Sequence, residues 1–256
     1  MRKLFISLPI IVFFIVSCQT DIKSEKPVWH TKKWVVENKI HNQLTSTEKE
    51  LGWTLLFDGK SLNGWHLYQK SDSTQFSGWT VKNGTLFCDA TNETKVFGDL
   101  TTDKVFENYE LVFDWKMDIR GNGGVFINVQ ETPEYNATYN TGPEFQLLDS
   151  NHSDTNTPLK KAGCLWGVSP QLNEVDVNNS GQWNTSKIIQ QNGKIEFYLN
   201  GKITAKEDFT SEEWKNKVAI SRFKDNTGFA QAIKGKIALQ NWYFNSWFRN
   251  MKIREL

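Results

Sequence analysis

The chain has 256 residues, a formal net charge of +1 and mean hydropathy of -0.53. That near-balance neither attracts nucleic acid nor repels an acidic partner. Eleven tryptophans and an aromatic fraction of 13% favour strands; their flat apolar faces also suit sugar rings, although core packing explains most of them.

Arg2 and Lys3 precede an apolar run from Leu4 to Val16. At about 13 residues it is too short to span a bilayer as a helix and has the length of a signal-peptide core. It ends in Ile15-Val16-Ser17-Cys18, which resembles a bacterial lipobox. The resemblance implies a signal peptide over 1–17, acylation of Cys18 and a lipid anchor in the cell envelope. Gln19 and Thr20 carry no recognisable inner-membrane retention signal, so the outer membrane is expected. Roughly 240 residues remain after cleavage, which fits one large all-β domain or two small ones.

Residues 18–44 are polar, mixed in charge and read as a tether, with Trp29 and the Trp34-Val35-Val36 cluster as segments apolar enough to pack back. Thr45-Ser46-Thr47-Glu48 is a capping box and predicts one short helix before Gly52. From Trp53 onward short strands alternate with turn signals. Asn-Gly pairs at 63–64, 83–84, 122–123, 192–193 and 200–201 predict tight turns. Strands are expected at 80–82, 85–87, 109–117, 144–148, 195–199, 236–240 and 247–253. This spacing predicts an all-β antiparallel sandwich over 45–256 with one short N-terminal helix.

The sequence lacks a Gly-rich phosphate loop, a Gly-x-Ser-x-Gly elbow, His-Glu-x-x-His and Cys-x-x-Cys. Nucleotide binding, serine hydrolysis and the common zinc chemistries are therefore unsupported. Cys88 and Cys164 are read as buried thiols by default, with pairing between them open. A strand over 144–148 puts Phe145 and Leu147 on a core face and Glu144 and Gln146 on the other. Asp149 and His152 follow, which makes Glu144, Asp149 and His152 a candidate acid–base cluster. On spacing alone, a solvated sheet face with a polar turn accounts for the cluster better than a site does.

The blocks Gly52-Trp53-Thr54-Leu55-Leu56-Phe57-Asp58-Gly59, Gly121-Asn122-Gly123-Gly124-Val125-Phe126, Thr141-Gly142-Pro143-Glu144-Phe145-Gln146-Leu147-Leu148-Asp149 and Ser221-Arg222-Phe223-Lys224-Asp225 occur in that order. Together with Trp247-Phe248-Arg249-Asn250 they resemble the 3-keto-disaccharide hydrolase family over Gly52 to Leu256. The resemblance implies a concanavalin-like jelly roll acting on an oxidised saccharide or glycoside. It implies catalytic roles for Glu144, Asp149, His152 and Lys224. Asn128, Gln146, Trp166, Arg222, Gln240, Trp242 and Arg249 become the candidate substrate-binding residues. Arg249 reads equally well as a structural partner of an adjacent strand.

Two stretches depart from the family pattern. Relatives often carry Asp-His-Gly where this chain has Asn241-Trp242-Tyr243, and His-Arg-Ala-Gly-Asp-Leu-Tyr-Asp where it has Lys160-Lys161-Ala162-Gly163-Cys164-Leu165-Trp166-Gly167. The changes remove histidines and carboxylates that could bind a divalent metal, whose involvement stays open, and supply Trp166 and Trp242 as stacking surfaces. The alternative is a non-catalytic carbohydrate-binding lipoprotein on the same fold. No protein partner can be inferred.

Overall fold

The computed structural model describes residues 41–91 and 95–256, without the side chains of Asn241 and Tyr243. The signal-like segment, Cys18, Trp29 and the Trp34–Val36 cluster lie outside the described residues. Thr45 caps α1 (Ser46–Glu50) as expected, with the Thr45 hydroxyl accepting from the Glu48 amide and the Glu48 carboxylate accepting from the Thr45 amide. Asn42, assigned to the tether, is buried: it exchanges two 2.8 Å hydrogen bonds with Asn250 and donates to the Gly84 carbonyl.

Thirteen strands are described. In chain order they are β1 (Thr54–Leu55), β2 (Trp65–Leu67), β3 (Trp79–Lys82), β4 (Thr85–Cys88), β5 (Leu100–Thr102) and β6 (Tyr109–Met117). There follow β7 (Asn122–Val129), β8 (Glu144–Leu148), β9 (Asn184–Gln191), β10 (Lys194–Leu199), β11 (Lys202–Asp208), β12 (Lys236–Tyr243) and β13 (Ser246–Glu255). One antiparallel sheet runs β11-β10-β9-β6-β13-β4-β3, with β1 also paired to β13. The other runs β2-β5-β12-β7-β8. The expected antiparallel sandwich is formed.

The core follows from the period-2 alternation of strand side chains. Phe113, Phe197 and Phe248 of the larger sheet meet Phe145 and Leu147 of β8, Val125 of β7 and Leu239 of β12 in one buried cluster. Phe145 stands edge-on to Phe197 at 4.8 Å and to Phe113 at 6.3 Å, joining the sheets. Between the sheets also sits a polar clasp. Asn128 lies at a break in the β7–β12 register with φ 57°, and its amide exchanges hydrogen bonds of 2.7 and 3.0 Å with the Gln190 amide on β9.

Three Asn-Gly pairs make the expected turns, with both residues at positive φ: Asn83-Gly84, Asn192-Gly193 and Asn200-Gly201. At 63–64 only the glycine has positive φ. The pair at 122–123 corrects the sequence expectation. It lies inside β7, paired to β8 and β12, and the chain reverses just before it, where Gly121 N–H donates to the Asp118 carbonyl. A second helix, α2 (Glu212–Ile220), was also not expected. Ser211 caps it, but Trp214 is its one buried side chain, so it shows no apolar period. Cys88 and Cys164 are both buried and form no disulfide.

Candidate active site

Because Phe145 and Leu147 face the core, Glu144 and Gln146 emerge on the outer face of the smaller sheet, together with Gly124 of β7 and Gln240 and Trp242 of β12. That face is not solvated as a plain polar sheet would be: Glu144 is 5% and Gln146 1% exposed. The segment after β8 returns along its free edge. Gln146 N–H donates to the Cys164 carbonyl, Gly163 N–H to the Gln146 carbonyl and Trp166 N–H to the Glu144 carbonyl. This places Trp166 beside Glu144. The segment also includes Asp154 and Lys160, paired at 3.1 Å.

These elements enclose a cavity of about 520 Å³, lined by Glu144, Gln146, Trp166, Arg222, Gln240 and Trp242. Asn122, Tyr139, Asp154, Lys160, Phe223 and Asn226 complete the lining. The volume falls within the range of small-molecule sites. Gln146 donates to the Asn122 side-chain oxygen at 2.8 Å, which fixes two amides on the floor. The Arg222 guanidinium lies 4.1 Å from the Trp166 ring centroid, while Phe223 packs against that ring at 5.9 Å. Trp166 is thus part of a wall already stacked by Arg222, and Trp242 is the more open aromatic surface, 67% exposed.

Glu144 is the chemically distinctive group. Its carboxyl makes no hydrogen bond or ion pair among the described residues. Burial pushes its pKa well above the usual carboxylate range; the Asp99 charge adds to that shift and the Arg222 charge opposes it. Asp99 is itself pushed up to about 6 by burial, against a hydrogen bond from the Thr138 hydroxyl. The space for Glu144 is made by Gly124, where a Cβ would fall 2.1 Å from Glu144 Oε1. Close approach, not turn geometry, requires that glycine.

Several expected site residues lie elsewhere. Asp149 is buried at the loop after β8. Its carboxylate accepts from the Arg120 amide at 2.8 Å, the Asn151 amide at 3.0 Å and the Ser180 hydroxyl at 2.6 Å. It therefore clamps loops and does not join Glu144. His152 caps a 3-10 turn, its Nδ1 accepting from the Asp154 amide at 3.1 Å. Lys224 is exposed and lines no part of the cavity, whereas Arg222, two residues earlier, does. Asn128 serves the inter-sheet clasp. Arg249 pairs with Asp114 at 3.3 Å and stacks over Trp183 at 3.9 Å, in agreement with the structural reading of that residue.

The expected convergence of Glu144, Asp149 and His152 is thus replaced by Glu144, Arg222 and the Asp154–Lys160 pair. Asp99, Tyr139, Asp154, Lys160 and Asn226 were not singled out from sequence. Asn122 could have been, since antiparallel register with β8 brings it beside Gln146. Among the described residues no three His, Cys, Asp or Glu side chains gather as a metal would need. The donor set among the described residues does not fit a metal centre.

A buried carboxyl in a polar, aromatic-walled cavity on an antiparallel sandwich, taken with a family match over most of the chain and a relative named as a hydrolase, makes this a glycoside hydrolase-like enzyme. The chain belongs to the family described as the 3-keto-alpha-glucoside-1,2-lyase-like domain, whose model matches residues 52–254. It is 26% identical over 231 residues to a 3-keto-disaccharide hydrolase of Bacteroides thetaiotaomicron, covering 80% of this chain and 79% of that one. A crystal structure from Parabacteroides distasonis ATCC 8503, provisionally named a glycosyl hydrolase, has 32% identity and a TM-score of 0.76, covering 84% of this chain and 99% of the other. A second structure from the same organism, named likewise, has 25% identity and a TM-score of 0.61, covering 80% and 99%.

Proposed function

We propose that this protein cleaves 3-keto-glycosides at the cell envelope by elimination and rehydration, with Glu144 as the proton-handling group. The observation that carries this reading is the buried Glu144 carboxyl, free of partners among the described residues, in a cavity that also holds Arg222. Membership of a lyase-like family supports the eliminating route over direct displacement.

A ketone at C3 of a glucosyl unit acidifies the C2 proton, because loss of that proton gives an enolate. In the proposed first step the Glu144 carboxylate takes the C2 proton, and the electron pair moves onto the C3 oxygen. A raised pKa makes the carboxylate a stronger base, while the cations of Arg222 and Lys160 stabilise the oxyanion. The enolate then expels the aglycone oxygen from C1, which departs with the proton held by Glu144. Water adds to C1 of the resulting enone and a proton returns to C2, giving the free 3-keto sugar and the alcohol. In this reading Asn122, Gln146 and Asn226, which line the cavity, hold sugar hydroxyls.

Purified protein incubated with matched 3-keto and unoxidised glycosides, with and without a chelator, tests the assignment. Release of aglycone is expected from the keto compounds alone, and in deuterated water the keto sugar should carry deuterium at C2. Turnover of the unoxidised glycoside, or of neither, would sink this reading; keto turnover without C2 label would sink the elimination route.

The envelope location rests on the lipobox-like Ile15-Val16-Ser17-Cys18. Cys18→Ser should move the expressed protein from the membrane fraction to the soluble fraction, and unchanged fractionation would remove the anchor.

A further inference from the structure

A second cavity, about 360 Å³, adjoins the first and shares Tyr139, Gln240 and Trp242 with it. Its chemistry differs. The first carries Asn122, Glu144, Gln146, Asp154, Lys160, Arg222 and Asn226, a dense set of donors and acceptors. The second is walled by Trp79, Val96 and Phe97, with Gly78 and Gly98 adding no side chain. Its polar groups are few, and some are already engaged. The Trp79 indole N–H donates to the Gly98 carbonyl at 2.9 Å, and Asp99 accepts the Thr138 hydroxyl.

Exposed aromatic surface is concentrated here. Phe97 is 44%, Tyr139 45% and Trp242 67% exposed, and all three line this cavity. Among the described residues, Phe76 is the other large aromatic with comparable exposure. Open aromatic faces grouped at one cavity mark a binding surface. A sugar placed there would find only Tyr139, Gln240 and the already engaged Asp99 as polar side chains for its hydroxyls, fewer than the first cavity offers. A flat apolar group would instead bury its faces against Phe97 and Trp242.

We propose that this second cavity is the aglycone subsite, and that it selects an aromatic alcohol as the leaving group in preference to a second sugar. The inference rests on the reading of the first cavity as the keto-sugar site, because continuity through Tyr139, Gln240 and Trp242 is what makes the neighbouring occupant the aglycone.

The test compares 2-phenylethyl and methyl 3-keto-glucosides and a 3-keto-disaccharide, each in both anomers. 2-Phenylethanol is an unactivated alcohol, as a sugar hydroxyl is, so leaving-group activation does not mimic recognition. The 2-phenylethyl compound should exceed both others in kcat/KM by about 10-fold or more. Phe97→Ser should reduce the phenylethyl-to-methyl ratio by at least about fivefold. A disaccharide preference, or a ratio unmoved by Phe97→Ser, would overturn the aglycone assignment while leaving the function standing. If none of the three is turned over, the catalytic reading fails, and calorimetric titration with the same compounds still decides the cavity. About 10-fold tighter phenylethyl than methyl binding, abolished in Phe97→Ser, supports the aromatic subsite; equal affinities overturn it.

Discussion

Glu144→Gln is expected to lower kcat/KM on a 3-keto-glycoside by about 10²- to 10⁴-fold, the range for removing a positioned acid–base group. The variant keeps the size and burial of the side chain but can no longer exchange the proton. It should also be more stable than the parent at neutral pH. Burial raises the Glu144 pKa in the folded protein, so the folded state binds more protons than the unfolded chain above the ordinary carboxylate pKa. Stability therefore falls as pH rises from that ordinary value towards the raised folded value. Glutamine removes the penalty. Thermal melts should show a higher Tm for the variant at pH 7 and little difference at pH 4. A full-rate variant would exclude Glu144 from the chemistry, and a pH-independent Tm difference would exclude the titration argument.

Gly124→Ala should reach a related endpoint by sterics. Its Cβ would fall 2.1 Å from Glu144 Oε1 and 2.6 Å from Glu144 Cγ, so the carboxyl must move. A displacement of about 1 Å is enough to cost on the order of 10²-fold in rate. The same kinetic assay reads both variants.

Gln190→Leu is expected to cost about 4 kcal/mol of stability, a large share of the roughly 5–15 kcal/mol available to a folded domain. Gln190 is fully buried. Its Nε2 lies 2.6 Å from the Glu107 carbonyl, 2.8 Å from the Ile233 carbonyl and 3.0 Å from the Asn128 oxygen. Its Oε1 accepts from the Asn128 amide at 2.7 Å. Leucine fills a similar volume but leaves the buried Asn128 amide without its partner and removes the donor to the part-buried Glu107 and Ile233 carbonyls. Urea unfolding should show a lower midpoint at unchanged m-value; a loss under about 1 kcal/mol would show that the clasp is dispensable.

The fold is most legible in the sequence where local chemistry decides. Asn83-Gly84 and Asn192-Gly193 form turns because positive φ at both positions is a property of the dipeptide. The bounds of β6 and β8 match the expectation because apolar residues alternate with the pleat. The same logic failed at Asn122-Gly123, where a ladder with β8 and β12 on either side outweighs the turn preference. It failed for α2 because one buried tryptophan leaves no helical period to detect.

The site was half legible for a related reason. Glu144 and Gln146 share a strand face, which alternation reveals. Asp149 and Asp154 are five positions apart in similar polar surroundings, yet one clamps loops and the other lines the cavity. That difference depends on where Arg120 and Ser180 happen to pack, and no local rule carries it. Nor does any local rule bring Asp99, Tyr139 and Asn226 towards β8.

The segment running back along β8 bears on how such a cavity diversifies. It is fastened through main-chain groups at Gly163, Cys164 and Trp166. Within Lys160–Gly167 the positions that hold the segment in place are Ala162, Gly163 and Leu165. Ala162 and Leu165 are buried, and Gly163 sits at φ 79°. Lys160 and Trp166 are the ones that line the cavity. Because the fastening is through the backbone, the side chains at 160 and 166 are free to change while the scaffold that holds them stays as it is, so the wall facing a ligand can be rebuilt without refolding the sandwich.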